Sequence, residues 1–321
     1  MIDFGLFLSG TPVEKHSVAV SITDAFKHSG FIYLKNYGFP RAVIFNVFVS
    51  SASFFARPQE QKDSLCWTTP QANRGYIATG QEKLSRPDGT DGIALRSSNP
   101  DLKETIEIGR EGVPNQPNRW PDHLDDEGKA FKQTMQSFFE QCKLLHLQIM
   151  QAIAMGMDLP EHFFDQSIDA GDNNLRLLHY PPVPKSVFLE QPDQVRAGEH
   201  SDYGTITLLF QDSRGGLQVR TPRETFVDVT PIPDTVVVNA GDLLARWSND
   251  AITSTRHRVV EPPVAGDDSS DLYPSRYSVA YFCNPNMDMF IEALPGTTGG
   301  QKKYPGIMTA DYMVQRLTAT I

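Results

Sequence analysis

Two histidines and one aspartate have the residue types and the spacing to hold a single metal ion. His200 and Asp202 are two positions apart, and in an extended strand such side chains point to the same side while that of Ser201 points away. His257, in the strand-like run 254–259, would add a second imidazole, although a lone histidine at a strand end can also serve only to satisfy a backbone group. Two histidines and a carboxylate leave metal positions open and suit non-heme Fe(II) in O2 chemistry. We therefore predict a metal centre of His200, Asp202 and His257.

The His-x-Asp spacing is not specific by itself, because His123 and Asp125 have it too. Residues 120–122 indicate a helix start beside that first pair, and on a helix residues two apart lie about 200° apart around the axis. The chain after Asp202 is instead β-branched and apolar over residues 203–210, which is typical of a strand. The context thus favours a metal site at the second His-x-Asp pair and not at the first.

Arg276 and Ser278 follow the same period of two on another predicted strand. A guanidinium and a hydroxyl on one face match a carboxylate group, and the distal carboxylate of 2-oxoglutarate is a ligand of this kind. The alternative for Arg276 is a surface arginine on a sheet edge. We predict that Arg276 and Ser278 bind a carboxylate.

A further predicted strand ends at Tyr180, with Arg176 and Leu178 on the same face. If this face points inward, Tyr180 donates a hydrogen bond to the same carboxylate, while Arg176 and Leu178 face the substrate together with Phe282. If the opposite face points inward, His179 becomes an additional candidate metal ligand. For Arg176 two interpretations stay open: an internal salt bridge, or a contact to a polar oxygen of the substrate, since a buried guanidinium needs a partner.

The elements that must position these residues change along the chain. The first 60 residues predict strand, helix, strand and helix, and a long helix is predicted from 122 to about 157, with Cys142 in its buried apolar stripe. Strand-like runs follow at residues 174–180, 205–210, 217–220, 235–238, 242–247, 255–260 and 277–283. Residues 309–321 again predict a helix, and the polar segment 85–92 is predicted to be a mobile lid.

Many short strands indicate a sandwich or barrel. We predict an α+β, mainly β fold: a double-stranded β-helix, or jelly roll, with flanking helices. The predicted parts are an N-terminal helix and strand region at 1–118, the long packing helix at 119–160 and the jelly-roll core at 161–321. Together they are expected to form a single catalytic unit.

Composition excludes several classes of protein. The chain has 321 residues, 40% of them hydrophobic, and a formal charge of −10, which disfavours nucleic-acid binding. No apolar run approaches the length of a membrane span, and no basic region precedes the apolar N-terminal residues, so we expect neither a membrane segment nor a secretory signal. The three cysteines lack a CxxC spacing, which favours a reducing, cytoplasmic location. The oligomeric state stays open.

Nearly the whole chain resembles the isopenicillin N synthase-like branch of the iron- and 2-oxoglutarate-dependent dioxygenases. Residues 30–38, GFIYLKNYG, are similar to the family's N-terminal strand and turn. The other matching segments, in family order, are 73–76, 101–104, 175–182, 199–210, 215–219, 239–242, 247–249, 257–259 and 276–278. One departure is Leu178-His179-Tyr180-Pro181, where many plant members have Asn-Tyr-Tyr-Pro. The chain is therefore more similar to microbial members that tailor small molecules or hydroxylate free pyrimidines.

The resemblance implies an oxygenase that uses Fe(II), 2-oxoglutarate and O2, with ascorbate as a possible stimulant, to oxidise a C–H bond of a small organic molecule. The expected outcome is hydroxylation, desaturation or oxidative rearrangement in a natural-product tailoring step. The alternatives are an oxidase that needs no 2-oxoglutarate, since such family branches keep the Arg-x-Ser pair, a hydroxylase of free pyrimidines, and a non-catalytic jelly-roll binding protein.

Overall fold

The computed structural model describes residues 1–67, 73–81, 101–191, 194–263, 270–297, 299 and 301–318. The predicted lid at residues 85–92 lies outside these ranges. In the described part of the chain, no helix combines the length and the apolar character needed to cross a membrane.

Short strands alternate with helices at the N-terminus, as the sequence predicts. The elements are β1 (Ile2–Asp3), α1 (Gly5–Ser9), α2 (Pro12–His28), β2 (Phe31–Lys35), α3 (Arg41–Phe55), α4 (Gln59–Asp63), β3 (Gly75–Ile77) and β4 (Glu104–Gly109). Thr11 and Glu14 form a capping box at the start of α2, and Gly30, with a φ of 68°, allows the turn into β2. The short helix α1 was not predicted.

The long helix, α5 (Asp126–Gly156), begins four residues later than predicted, because residues 121–123 form a separate 3-10 turn and Asp125 caps the helix. Its predicted stripe is buried, Cys142 included. The elements that follow are α6 (Asp165–Ile168), β5 (Asn174–Tyr180), β6 (Val183–Pro184), α7 (Lys185–Glu190), β7 (Ala197–His200), β8 (Ile206–Gln211), β9 (Leu217–Arg220), β10 (Phe226–Asp228) and β11 (Thr235–Ala240).

The last part of the chain contains one correction. Residues 242–247, predicted as a strand, form helix α8 (Asp242–Trp247). Its buried residues are Leu243, Leu244 and Trp247, and their successive spacings of one and three fit a helical face and not an alternating strand. The remaining elements are β12 (His257–Val259), β13 (Leu272–Tyr273), β14 (Arg276–Cys283), β15 (Phe290–Ile291), β16 (Ile307–Met308) and α9 (Thr309–Thr318).

Two sheets form the centre of the molecule. The larger has the strand order β1-β2-β11-β8-β14-β5-β4-β3, and the smaller has the order β10-β9-β12-β7. One face of the larger sheet packs against the helices, with α5 contacting β8 and β14. Its other face packs against the smaller sheet through a second cluster that includes Leu178, Tyr180 and Ala280 on one side and Ala197, Leu217 and Val259 on the other. The predicted jelly-roll type of core with flanking helices is confirmed, whereas the three-part division of the chain stays a prediction.

Candidate metal centre and keto-acid site

The structure brings the three predicted metal ligands together on the smaller sheet. His200 is the last residue of β7, and its register partner His257 is the first residue of β12. Asp202 lies just beyond the end of β7 rather than inside a continuous strand, but its carboxylate still faces the histidines. Its Oδ1 atom is 3.9 Å from Nε2 of His200 and 3.7 Å from Nε2 of His257. All three ligand atoms lie within 4.8 Å of one another, so one ion can contact them together.

Hydrogen bonds orient each of these side chains. The outer oxygen of Asp202, Oδ2, accepts bonds from Oγ1 of Thr207 at 2.6 Å and from Nδ2 of Asn239 at 2.7 Å, which leaves Oδ1 directed at the histidines. Nδ1 of His200 lies 2.7 Å from the backbone carbonyl oxygen of Gly198, and Nδ1 of His257 lies 3.3 Å from that of Thr255. A histidine that donates from Nδ1 presents the lone pair of Nε2 to the site, which is the form a metal binds.

The protonation states suit a cation. Burial, reinforced by the neighbouring His257, lowers the pKa of His200 to about 3, so this imidazole is neutral at neutral pH. Burial acts to raise the pKa of Asp202, but the two histidines and the bonds from Thr207 and Asn239 outweigh it, and the net shift is downward. A carboxylate and neutral imidazole are the states required of metal ligands. The donor set therefore fits Fe(II).

Asp242, the first residue of α8, ties the two ligand-bearing segments to each other. Its Oδ2 accepts a bond from Oγ of Ser201 at 3.0 Å, and its Oδ1 accepts one from Oγ of Ser254 at 2.6 Å. Arg316 of the C-terminal helix pairs with the same carboxylate at 2.9 Å. No role for Asp242 was predicted from the sequence, although this residue lies in the matching segment 239–242.

The first His-x-Asp pair has structural partners. Asp125 is the N-cap of α5, where it accepts a bond from the backbone N–H of Gly128 at 2.7 Å and pairs with Arg57, also at 2.7 Å. Nδ1 of His123 lies 3.1 Å from the carbonyl of Trp120. Asp125 and His123 thus have separate structural partners, which agrees with the prediction that this His-x-Asp pair is not a metal site.

Arg276, Ser278 and Tyr180 meet on the face of the larger sheet that looks toward the metal ligands. Arg276 and Tyr180 are register partners on β14 and β5, and the guanidinium carbon lies 4.8 Å from the tyrosine ring centroid. Nη1 of Arg276 donates to Oγ of Ser278 at 3.1 Å, and its Nε donates to the carbonyl of Gly215 at 2.8 Å. The interpretation of Arg276 as a surface residue is wrong, because β14 lies inside the sheet and Arg276 is only 1% exposed.

Among the described residues, no carboxylate lies within ion-pair distance of the Arg276 guanidinium. A buried guanidinium without a counter-charge, beside a hydroxyl and a phenol, is suited to the carboxylate of a ligand. The three residues therefore fit the distal end of 2-oxoglutarate.

The candidate substrate contacts lie on the same inner face. Arg176, Leu178 and Tyr180 alternate along β5, and the guanidinium carbon of Arg176 lies 5.5 Å from the ring centroid of Phe282. Arg176 also forms an ion pair with the buried Glu107, its register partner on β4. The predicted internal salt bridge of Arg176 is therefore present, and its contact to a substrate oxygen stays a prediction. Sequence reasoning did not identify Glu107, although a charge inside the apolar strand β4 was a signal.

His179 points the other way and is not a metal ligand. It stacks on Tyr277 with ring centroids 4.6 Å apart, and its Nδ1 lies 2.7 Å from the carboxylate of Glu104. The alternative in which this face of β5 points toward the metal is thus wrong.

Comparison with protein-family models gives two matches. Residues 171–285 match the 2OG-Fe(II) oxygenase superfamily, and residues 1–123 match the non-haem dioxygenase in morphine synthesis N-terminal family. The first range contains all the candidate metal and keto-acid residues.

Comparison with individual proteins gives fungal relatives. The 2-oxoglutarate-Fe(II) type oxidoreductase ppzD of Metarhizium rileyi is 37% identical, over 99% of this chain and 90% of that protein. The proline hydroxylase buaE of Petromyces alliaceus is 35% identical, over 99% and 98%. A Neurospora crassa protein, solved in complex with alpha-KG and thymine, is 54% identical, with a TM-score of 0.91 over 100% of this chain and 96% of that one. A second complex of this Neurospora protein, with alpha-KG and 5-formyluracil, is 53% identical, with a TM-score of 0.88 over 98% and 94%.

Proposed function

Because the chain belongs to the 2OG-Fe(II) oxygenase superfamily, we propose that its substrate is a free pyrimidine base that carries a one-carbon substituent on C5. The protein is an Fe(II)- and 2-oxoglutarate-dependent dioxygenase that oxidises a C–H bond of a small organic molecule. The observation that supports the pyrimidine is the likeness to the Neurospora protein, which is bound to thymine in one structure and to 5-formyluracil in another. These two ligands share the uracil ring and differ only in the oxidation state of the C5 substituent.

Residues on the inner face support a planar polar substrate. The ring of Phe282 offers a stacking surface for a pyrimidine, and the guanidinium of Arg176 offers donors for a ring carbonyl. Leu178, half-way between Arg176 and Tyr180 on β5, adds an apolar contact. We propose these three residues as the substrate contacts.

The proposed roles of the remaining site residues follow from their positions. His200, Asp202 and His257 would hold Fe(II), and Arg276, Ser278 and Tyr180 would hold the distal carboxylate of 2-oxoglutarate. Bound together, iron, 2-oxoglutarate and O2 supply the oxidant for the C–H bond, with succinate and CO2 as co-products. The two sheets orient substrate and keto acid against each other and exclude water from between them. Because strands β1 to β4 of residues 1–118 join the sheet that carries Arg276, we propose that the whole chain acts as one catalytic unit.

A second candidate is a tailoring step on an amino acid or another natural product, which the likeness to ppzD and to the proline hydroxylase buaE favours. A substrate screen separates the two. With Fe(II), 2-oxoglutarate, ascorbate and O2 present, thymine and 5-formyluracil are expected to stimulate succinate formation and to gain one oxygen atom. Uracil, which lacks the C5 substituent, is the matched control and is expected to give no oxidised product. Product from L-proline but from none of the pyrimidines would contradict the proposal.

Replacement of Arg176 tests the substrate contact. Arg176→Ala is expected to raise the KM for thymine by about tenfold or more, since a hydrogen bond to a charged group contributes about 1.5–3 kcal/mol. Iron and 2-oxoglutarate binding should stay as in the wild type. The measurements are the KM for thymine and the ratio of succinate to product.

The ion pair with Glu107 requires a control, because removing Arg176 alone takes one positively charged partner away from a buried carboxylate. The double variant Arg176→Ala/Glu107→Gln removes both charges. If Arg176 serves only the ion pair, the double variant will recover the wild-type KM and coupling, which would contradict a substrate contact. If it binds substrate, the double variant will stay impaired.

A further inference from the structure

A second arginine is completely buried near Arg276. Arg196, the residue before β7, is 0% exposed and is among the largest fully buried side chains of the molecule. In the described ranges no carboxylate lies within ion-pair distance of it. Its Nη1 and Nη2 atoms donate only to the carbonyl of Pro274, at 3.5 and 3.4 Å, which is the weak limit of a hydrogen bond. Its Nε has no partner among the residues that the structure describes.

The position of Arg196 relates it to the keto-acid site. Its backbone N–H bonds the carbonyl of Val259 on the smaller sheet, while its guanidinium reaches Pro274, two residues before Arg276 on the larger sheet. The side chain of Arg196 therefore extends from the smaller sheet toward the larger sheet, near the end of β14 at which Arg276 lies. In accord with this placement, burial, followed by the positive charge of Arg276, lowers the pKa of Arg196, while Tyr180, Asp212 and Tyr273 act in the opposite direction.

The energetics of this arrangement point to an anionic ligand. A buried guanidinium without a counter-charge destabilises the folded protein, and a second one close by adds repulsion between like charges. Within the described structure, Arg196 has near it the carbonyl of Pro274, the phenols of Tyr180 and Tyr273, and the carboxylate of Asp212, which is not within ion-pair distance. The distal carboxylate of a bound keto diacid brings a negative charge to the two arginines, and a keto acid without that carboxylate lacks this charge.

We propose that Arg196 is a second cationic contact for the distal carboxylate of 2-oxoglutarate, beside Arg276. The inference rests on the assignment of Arg276 to 2-oxoglutarate and is independent of which substrate is oxidised. In this role, Arg196 contributes to the preference of the protein for a keto acid with a second carboxylate over a keto acid without one.

The test is a titration of the Fe(II)-loaded protein without O2, in which the absorbance of the iron–keto acid complex reports binding. Two keto acids are compared: 2-oxoglutarate, and pyruvate, which lacks the distal carboxylate. Arg196→Met is expected to weaken 2-oxoglutarate binding by about tenfold or more while changing pyruvate binding by less than about twofold. The melting temperature of the ligand-free variant should equal or exceed that of the wild type, because an uncompensated buried charge is gone.

Several outcomes would overturn the proposal. They are an unchanged affinity for 2-oxoglutarate, an equal loss of affinity for both keto acids, or a lower melting temperature with wild-type keto-acid selectivity. The third outcome would indicate that Arg196 only holds the segment at Pro274 in place. If Arg196→Met does not fold, Arg196→Lys decides, since it keeps the charge: retained preference for 2-oxoglutarate supports the proposal and lost preference opposes it. Arg276→Leu in the same titration shows separately whether the keto-acid site itself is correctly placed.

Discussion

Asp202→Ala is expected to abolish turnover and stoichiometric iron binding while the fold is retained. The change removes the only carboxylate of the proposed ligand set, and it leaves two imidazoles without the anionic ligand that completes the coordination. Asp202 lies just beyond the end of β7 and takes no part in either sheet's ladder, so the secondary structure should persist. Iron content per protein, circular dichroism and thymine-dependent succinate formation are the measurements.

The first His-x-Asp pair provides a matched control. Asp125→Ala removes an aspartate at the same spacing from a histidine, but it removes a helix cap and the partner of Arg57 instead of a ligand. A lower melting temperature with unchanged iron content is expected. Wild-type iron stoichiometry in Asp202→Ala, or a loss of iron in Asp125→Ala, would contradict the assignment.

Arg276→Leu is expected to raise the KM for 2-oxoglutarate by about 100-fold while the KM for the organic substrate changes little. The guanidinium is buried and desolvated, and losing one partner of a buried charge pair costs about 2–5 kcal/mol of binding. The two KM values are measured in separate titrations at saturating concentration of the other ligand.

Arg214→Leu is the control for this variant, since Arg214 is an exposed arginine next to the Gly215 whose carbonyl binds Arg276. Its kinetics are expected to match the wild type. Equal effects of Arg276→Leu on both KM values, or full activity of the wild type without any keto acid, would place the protein with the oxidases that need no 2-oxoglutarate.

The period of two along strands explains why most of the site could be predicted from the sequence. Arg276 and Ser278 share a face of β14, and Arg176, Leu178 and Tyr180 share a face of β5, so local geometry alone places each set. The same reasoning worked for Asp202 although it lies past the end of its strand.

Long-range partners could not be predicted in the same way. Glu107 and Arg176 are opposite each other only because β4 pairs with β5, and nothing local in either segment fixes that register. The lack of an ion-pair partner for Arg196 among the described residues likewise depends on which side chains the two sheets bring near it. Residues 242–247 were misassigned because a short apolar run fits a strand or a buried helix, and here tertiary packing on Leu243, Leu244 and Trp247 favoured the helix.

The stoichiometry of a single incubation is the most direct test of 2-oxoglutarate-dependent oxidation of a pyrimidine by this protein. Purified protein with Fe(II), O2, 2-oxoglutarate and thymine is expected to form succinate and 5-hydroxymethyluracil in equal amounts during the first turnovers, and to form neither when Fe(II) is replaced by buffer and a chelator. Oxidised pyrimidine without succinate would contradict the use of 2-oxoglutarate. Succinate formation that does not respond to thymine, with no oxidised pyrimidine, would contradict the pyrimidine substrate.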